Sequence, residues 1–245
     1  MGKDVIVACD FSSAEQVFTF LDKFKERKPF VKIGMEEFLS EIARNEYPEN
    51  EYTRAFKAKG YKAEEVEKAL YVYGAVKRLC DKYQLSGVTV RCFDLLDTVY
   101  TTGCLALSIL NDEGICGGCE SDVPALLSMA ILGAVSGEPM FLCNPSRFDT
   151  KAGTAVFAHC TIPTTMLKDF CLNTHFESGI GVAVQGTFAE SDCTIFKCEG
   201  DLSRWHAQEG SIIPSPFSNM LCRTQIKLRL DVDVIRTFVC NQLVE

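Results

Sequence analysis

GVTVRCFDLL (87–96), TTGCLALSILNDEGICGGCESDVPALLSM (101–129), EPMFLCNPSRFD (138–149) and TAVFAHCTIP (154–163) follow one another as apolar runs that end in polar groups their packing does not need. GVTVRCF, PMFLCN and TAVFAHCT read as strands. Helices are expected from about Thr102 to Leu110 and from about Ser121 to Val135, with the glycine-rich stretch ICGGCE as a tight turn between them. Strand and helix alternating in this way predict an α/β fold with a layered, mostly parallel sheet. Asp94, Glu120, Asp122, Asn144 and His159 then gather at strand ends, where open parallel sheets bind ligands. Ionised groups are rarely buried without partners, so this gathering points to a site.

Upstream, DVIVACDF, a helix opened by Ser12–Glu15, and FVKIG read as β-α-β. Residues 35 to 83 are helix-rich, with the polar break NEYPENEY inside them. The longest piece runs from about Ala63 to Tyr83 with Val66, Ala69, Leu70, Tyr73, Val76, Leu79 and Cys80 at helical spacing. Beyond residue 175 the texture changes to short alternating segments cut by Gly, Pro and Asp: GIGVAVQGTFA, CTIFKCEGDL, GSIIPSPF and LCRTQIKLRLDV. The expectation is an N-terminal segment over 1–38, an α/β domain over 39–168, and a smaller β-rich, barrel-like module over 169–245.

The 245 residues carry a net charge of −8 with Lys and Arg scattered, which argues against a nucleic-acid partner. No apolar run reaches membrane-spanning length and nothing at the start resembles a signal peptide, so no membrane partner and a cytoplasmic location are expected. Thirteen cysteines, odd in number and set mostly in apolar runs, read as free thiols rather than a disulfide framework. Cys116 and Cys119 form a CxxC without a second pair to complete a structural zinc site. Trp205–His206 is read on a polar loop.

Glu120 falls between the glycine turn and a helix start, and His159 closes TAVFAH. Asp122 suits the positive end of the same helix. Alone, His159 reads equally as a hydrogen-bonded strand-end histidine; together, a Glu and a His from two such ends suit a divalent-metal site whose open positions hold a hydroxylated substrate.

RCFDLL, GCLALSILNDEGICGGCESDVPALLSM, EPMFLCNPSRFD, AVFAHCTIP, THFESG and LCRTQI together resemble the L-fucose/L-arabinose isomerase family, in its fucose-isomerase-like branch, over about residues 40 to 239. The resemblance implies a manganese-dependent aldose–ketose isomerase acting on a small sugar through an enediol, and a homo-oligomer. It implies Glu120 as metal ligand and proton-transfer group, Asp122 as its catalytic companion, and His159 as metal ligand. Asn144 stands where the family places a second metal carboxylate, with Asp94, Asn144 and His175 toward the substrate. The family's last histidine motif has no match after His206. The alternative is a non-catalytic sugar-binding or structural remnant. VIVACDFSSAEQVFTFLDKF and PFVKIGMEEF separately resemble the opening of orotidine 5′-phosphate decarboxylase, which implies a phosphate-ester binder using Asp10 and Lys32. That enzyme's Asp-x-Lys-x-x-Asp cluster appears nowhere in the chain.

Overall fold

The computed structural model describes residues 6–9, 16, 19, 22, 30–199 and 202–236. Asp10, the helix opened by Ser12 and the side chain of Lys32 lie outside the described residues. The first pairing is parallel, β1 (Ile6–Cys9) with β2 (Phe30–Ile33).

Three helices follow: α1 (Met35–Ile42), α2 (Glu51–Ala58) and α3 (Ala63–Tyr83). The break between the first two ends on Asn50. Its side chain accepts from Thr53 N while Thr53 Oγ1 accepts from Asn50 N, a reciprocal cap that starts α2. The bounds of α3 match the apolar spacing, and its buried residues include Val66, Ala69, Leu70, Tyr73, Val76, Leu79 and Cys80. Against it packs α5 (Cys104–Asp112), which is buried on nearly every side. Phe56, Leu95 in the short α4 (Asp94–Thr98), Leu105, Leu107, Ile109 and Leu110 complete this core. Helix α6 (Val123–Ser136) starts after Asp122 and stops at Gly137, whose φ of 75° ends it in the left-handed conformation.

The sheets correct the expected layered parallel arrangement. β3 (Gly87–Val90) pairs in parallel with β4 (Cys116–Cys119), and these two stand alone. The largest sheet among the described residues has five strands and is antiparallel throughout. Its order is β5 (Asn144–Asp149), β6 (Thr154–His159), β11 (Thr224–Arg229), β10 (Trp205–Ile213) and β9 (Asp192–Cys198). A parallel crossover needs a dozen or more residues, and only a tight turn joins β5 to β6. Asp149 shapes that turn by accepting from Lys151 N and Ala152 N, and Gly153 supplies a φ of 62°. Strands from both sides of residue 168 therefore share one sheet. A separate hairpin-like pair, β7 (Asp169–Asn173) with β8 (Ala183–Thr187), lies beside it. No sheet of the described residues closes into a barrel.

Three local readings also change. PMFLC is irregular, and the strand begins at Asn144. CGGC is strand β4 rather than a turn: a Cβ on Gly117 would sit 2.9 Å from the Leu107 carbonyl oxygen, so glycine lets α5 lie against the strand backbone. Three positions apart on a strand, Cys116 and Cys119 face opposite sides and do not act as a pair. Trp205 and His206 open β10, with Trp205 stacked on Phe196.

Candidate functional site

β4 delivers Glu120 and β6 delivers His159. Glu120 and Ser121 follow β4 with φ of 61° and 57°, a left-handed double step that non-glycine residues seldom take. This step turns the chain out of the strand and into α6. It brings Glu120 Oε1 to 3.8 Å from His159 Nε2, an ion-pair separation longer than a hydrogen bond. His159 is buried, while the Glu120 side chain is 45% exposed, so the pair has one dry and one wet side. The imidazole of His159, helped by that of His175, holds the Glu120 carboxyl below the usual carboxylate range despite its partial burial.

On the far side of the ring, His159 Nδ1 lies 3.0 Å from Thr161 Oγ1. That contact orients the ring so that Nε2 faces Glu120, as a partner on the second nitrogen does for imidazoles that bind metals. Register fixes the strand: Thr224 of β11 stands opposite His159. Thr224 Oγ1 in turn donates to Val184 O and accepts from Gly186 N, tying β8 to the same point.

Cys119 joins this pair. Its sulfur and the Glu120 and His159 ligand atoms all lie within 4.8 Å of one another. Cys119 Sγ also lies 2.9 Å from Cys92 Sγ, too far for a disulfide. Cys92 and burial together push the Cys119 thiol up and keep it protonated.

The remaining sequence candidates fall around this centre. Asp122 Oδ1 accepts from Ala125 N at 2.8 Å, so its carboxylate caps α6. Asp94 pairs with Arg91 at 3.1 Å. Asn144 stands opposite Ala158, one position short of His159, with its side chain exposed. His175 is buried in the β7–β8 connection, where Ser178 Oγ lies 2.9 Å from Nδ1 and burial pushes its pKa down. Arg223 donates to Thr174 O and Thr174 Oγ1, which anchors the His175 segment. An open groove lined by Lys62, Glu65, Lys68, Tyr100, Thr174 and Gly179–Gly181 touches neither Glu120 nor His159.

Sequence reasoning missed Asn111. This buried residue accepts from Gly117 N at 2.7 Å and donates to Gly117 O and Thr161 O. Its carboxamide takes the place of a third strand on the edge of β4 and ties that strand to the segment after His159. The bare motif SILND offers no signal for this, because both partners are distant backbone groups.

No protein-family model matches the chain. It is similar over part of its length to curated sulfoquinovose isomerases, which are sugar isomerases. The protein from Clostridium sp. is 36% identical over 77 residues, 31% of this chain and 17% of that protein. The one from Alkalicoccus urumqiensis is 31% identical over 88 residues, 35% of this chain and 20% of that protein. A short stretch of 39 residues, 16% of each chain, is 59% identical to orotidine 5′-phosphate decarboxylase of Fusobacterium nucleatum. The chain thus spans at most about a fifth of the length of each of these three relatives. No described helix is long and apolar enough to cross a membrane.

Proposed function

We propose that this chain carries the proton-transfer site of a sugar isomerase, centred on Glu120 and His159. The observation that supports it is the 3.8 Å approach of Glu120 Oε1 to His159 Nε2, made by two residues from separate strand ends. Partial similarity to sulfoquinovose isomerases points to the same chemistry. Isomerisation moves a proton between neighbouring carbons of a sugar while the carbonyl changes place. A carboxylate kept ionised and half open to solvent suits that task, because it can take the proton from one carbon and return it to the next.

The donor set fits a divalent cation. Two ligands about 2.1 Å from one ion stand roughly 3.0 to 4.2 Å apart depending on the angle, and 3.8 Å falls inside that span. Glu120 Oε1 and His159 Nε2 would hold the ion, while Asn144, opposite Ala158, lies on the strand face away from His159. Bound there, a cation such as Mn²⁺ would polarise two adjacent sugar oxygens. Thr161 holds the imidazole, and Asn111 holds the Thr161 carbonyl and β4. Asp94 remains the proposed substrate-side residue, and the functional protein is proposed to be a homo-oligomer.

The test is a Mn²⁺ titration by calorimetry of the parent chain and His159→Ala, followed by isomerisation assays on sulfoquinovose, L-fucose and L-arabinose. Saturable binding lost in the variant, with turnover of one of these sugars, is the expected result. Binding of a sugar without turnover, or no Mn²⁺ binding by the parent, would replace the isomerase reading with the sugar-binding or remnant one.

A further inference from the structure

Cys160 follows His159, and its side chain belongs to a second cluster. The ligand atoms of Cys104, Cys160 and His175 lie within 4.8 Å of one another, and all three residues are buried. Cys222, partly buried, packs against the Cys104 and Cys160 side chains. Four chain segments meet here. Cys104 is the first residue of α5, Cys160 leaves the end of β6, His175 sits in the β7–β8 connection, and Cys222 precedes β11. Such a meeting of three sulfurs and an imidazole from distant parts of the chain is not required by apolar packing, for which alanine or valine would serve.

We propose that Cys104, Cys160, Cys222 and His175 form a structural zinc site. Three thiolates and one imidazole in tetrahedral array are an established ligand set for zinc. With zinc–sulfur bonds of about 2.3 Å, sulfurs in such an array stand about 3.8 Å apart, so the ligand atoms of Cys104, Cys160 and His175, all within 4.8 Å of one another, close on an ion by shifts of about 1 Å, and Cys222, packed against them, turns in as the fourth donor. Soft sulfur donors also set this centre apart from the Glu120–His159 pair, whose harder set suits manganese better. The outer shell is in place. Ser178 Oγ is 2.9 Å from His175 Nδ1 and fixes the ring, and Arg223 holds the Thr174 carbonyl next to it while following Cys222 directly. Cys104 opens α5, where the helix dipole favours negative charge. The ion would crosslink α5, β6, the β7–β8 pair and the entry to β11, and so hold the helical core to the five-stranded sheet.

The test uses the full chain, reduced and freed of metal, titrated with Co²⁺ as a spectroscopic probe for zinc. We expect one equivalent to bind with the intense visible bands of tetrahedral cobalt and a sulfur-to-metal charge-transfer band in the near ultraviolet. Zinc should then displace it. Cys160→Ser and His175→Ala should each weaken binding by about tenfold or more, while Cys171→Ser, at an exposed position, leaves it unchanged. Because a buried substitution can prevent folding, X-ray absorption at the zinc edge of the parent protein provides a second reading. A shell of three sulfurs and one nitrogen supports the site. No charge-transfer band, a shell of oxygen and nitrogen only, a Cys160–Cys222 disulfide in metal-free protein, or loss of the band in Cys119→Ser but not in Cys160→Ser would each overturn it.

Discussion

Replacing Asn111 by leucine removes a carboxamide while keeping a side chain of similar size, so the effect isolates its three hydrogen bonds. Gly117 N, Gly117 O and Thr161 O would all lose their side-chain partner inside a buried pocket that water does not reach. A buried backbone group left without a partner costs about 1–3 kcal/mol, with the N–H toward the upper end and the carbonyls toward the lower. The expected loss is therefore about 5 kcal/mol, comparable with the lower end of the 5–15 kcal/mol that a domain usually has. With an unfolding entropy of about 2 cal/mol/K per residue, a cooperative transition of this chain would drop by about 10 °C. Urea unfolding followed by circular dichroism measures it. Ser108→Ala serves as a calibrator, since its hydroxyl donates only to Ile162 O and should cost about 1 kcal/mol. If Asn111→Leu is no worse than Ser108→Ala, the strand-mimicking role of Asn111 is wrong.

Glu120→Gln should lower isomerase turnover by about a thousandfold, a typical general-base contribution, while leaving the melting temperature within about 2 °C; turnover near that of the parent would remove Glu120 from the chemistry. Gly74→Ala in α3 should destabilise by about 2 kcal/mol, because its Cβ would lie 2.0 Å from the Glu46 carbonyl oxygen and outweigh the gain of about 1 kcal/mol in helix preference; a raised melting temperature would refute this close approach. Arg78 donates to Glu41 Oε2, Glu41 O and Glu46 O, so Arg78→Ala should cost about 2 kcal/mol near neutral pH. Burial alone would raise the Glu41 pKa, but Arg78, Arg44 and Lys82 outweigh it and hold the carboxyl below its ordinary 4.5. The stability from that depressed pKa is present above pH 4.5 and lost as pH falls through the folded value; Glu41→Gln should flatten this acid limb, and an unchanged slope would count against the pairing.

Helix α3 was legible from its amino acids because twenty-one residues keep one apolar stripe and no proline interrupts it. The sheet was less so. Alternating strands and helices suggest parallel crossovers, but the direction of β5 and β6 was set by the short signal Asp149–Gly153, which reads as a hairpin only once its side-chain bonds are known. CGGC looked like a turn because glycine usually breaks strands, and the reason for it here, the close approach of α5, is tertiary. Glu120 and His159 were legible as polar residues at the ends of apolar runs, and the strands bring them within 3.8 Å. Cys104, Cys160, His175 and Cys222 have no motif spacing, since four separate elements supply them. Asn111 was hidden because its partners are backbone groups that no side-chain pattern marks.

The strand order β5-β6-β11-β10-β9 has a consequence for how the chain is made. β6 is buried along its whole length, but its inner neighbour β11 comes roughly 65 residues later. At a synthesis rate of about 5–20 residues per second, the growing chain holds an apolar, half-paired strand open for roughly 3 to 13 seconds. His159 takes its final position only when Thr224 arrives opposite it. During that interval the nascent chain presents the kind of bare edge that invites pairing with a neighbour, so slowed elongation between residues 160 and 224 should favour aggregates before any change in the finished protein is felt.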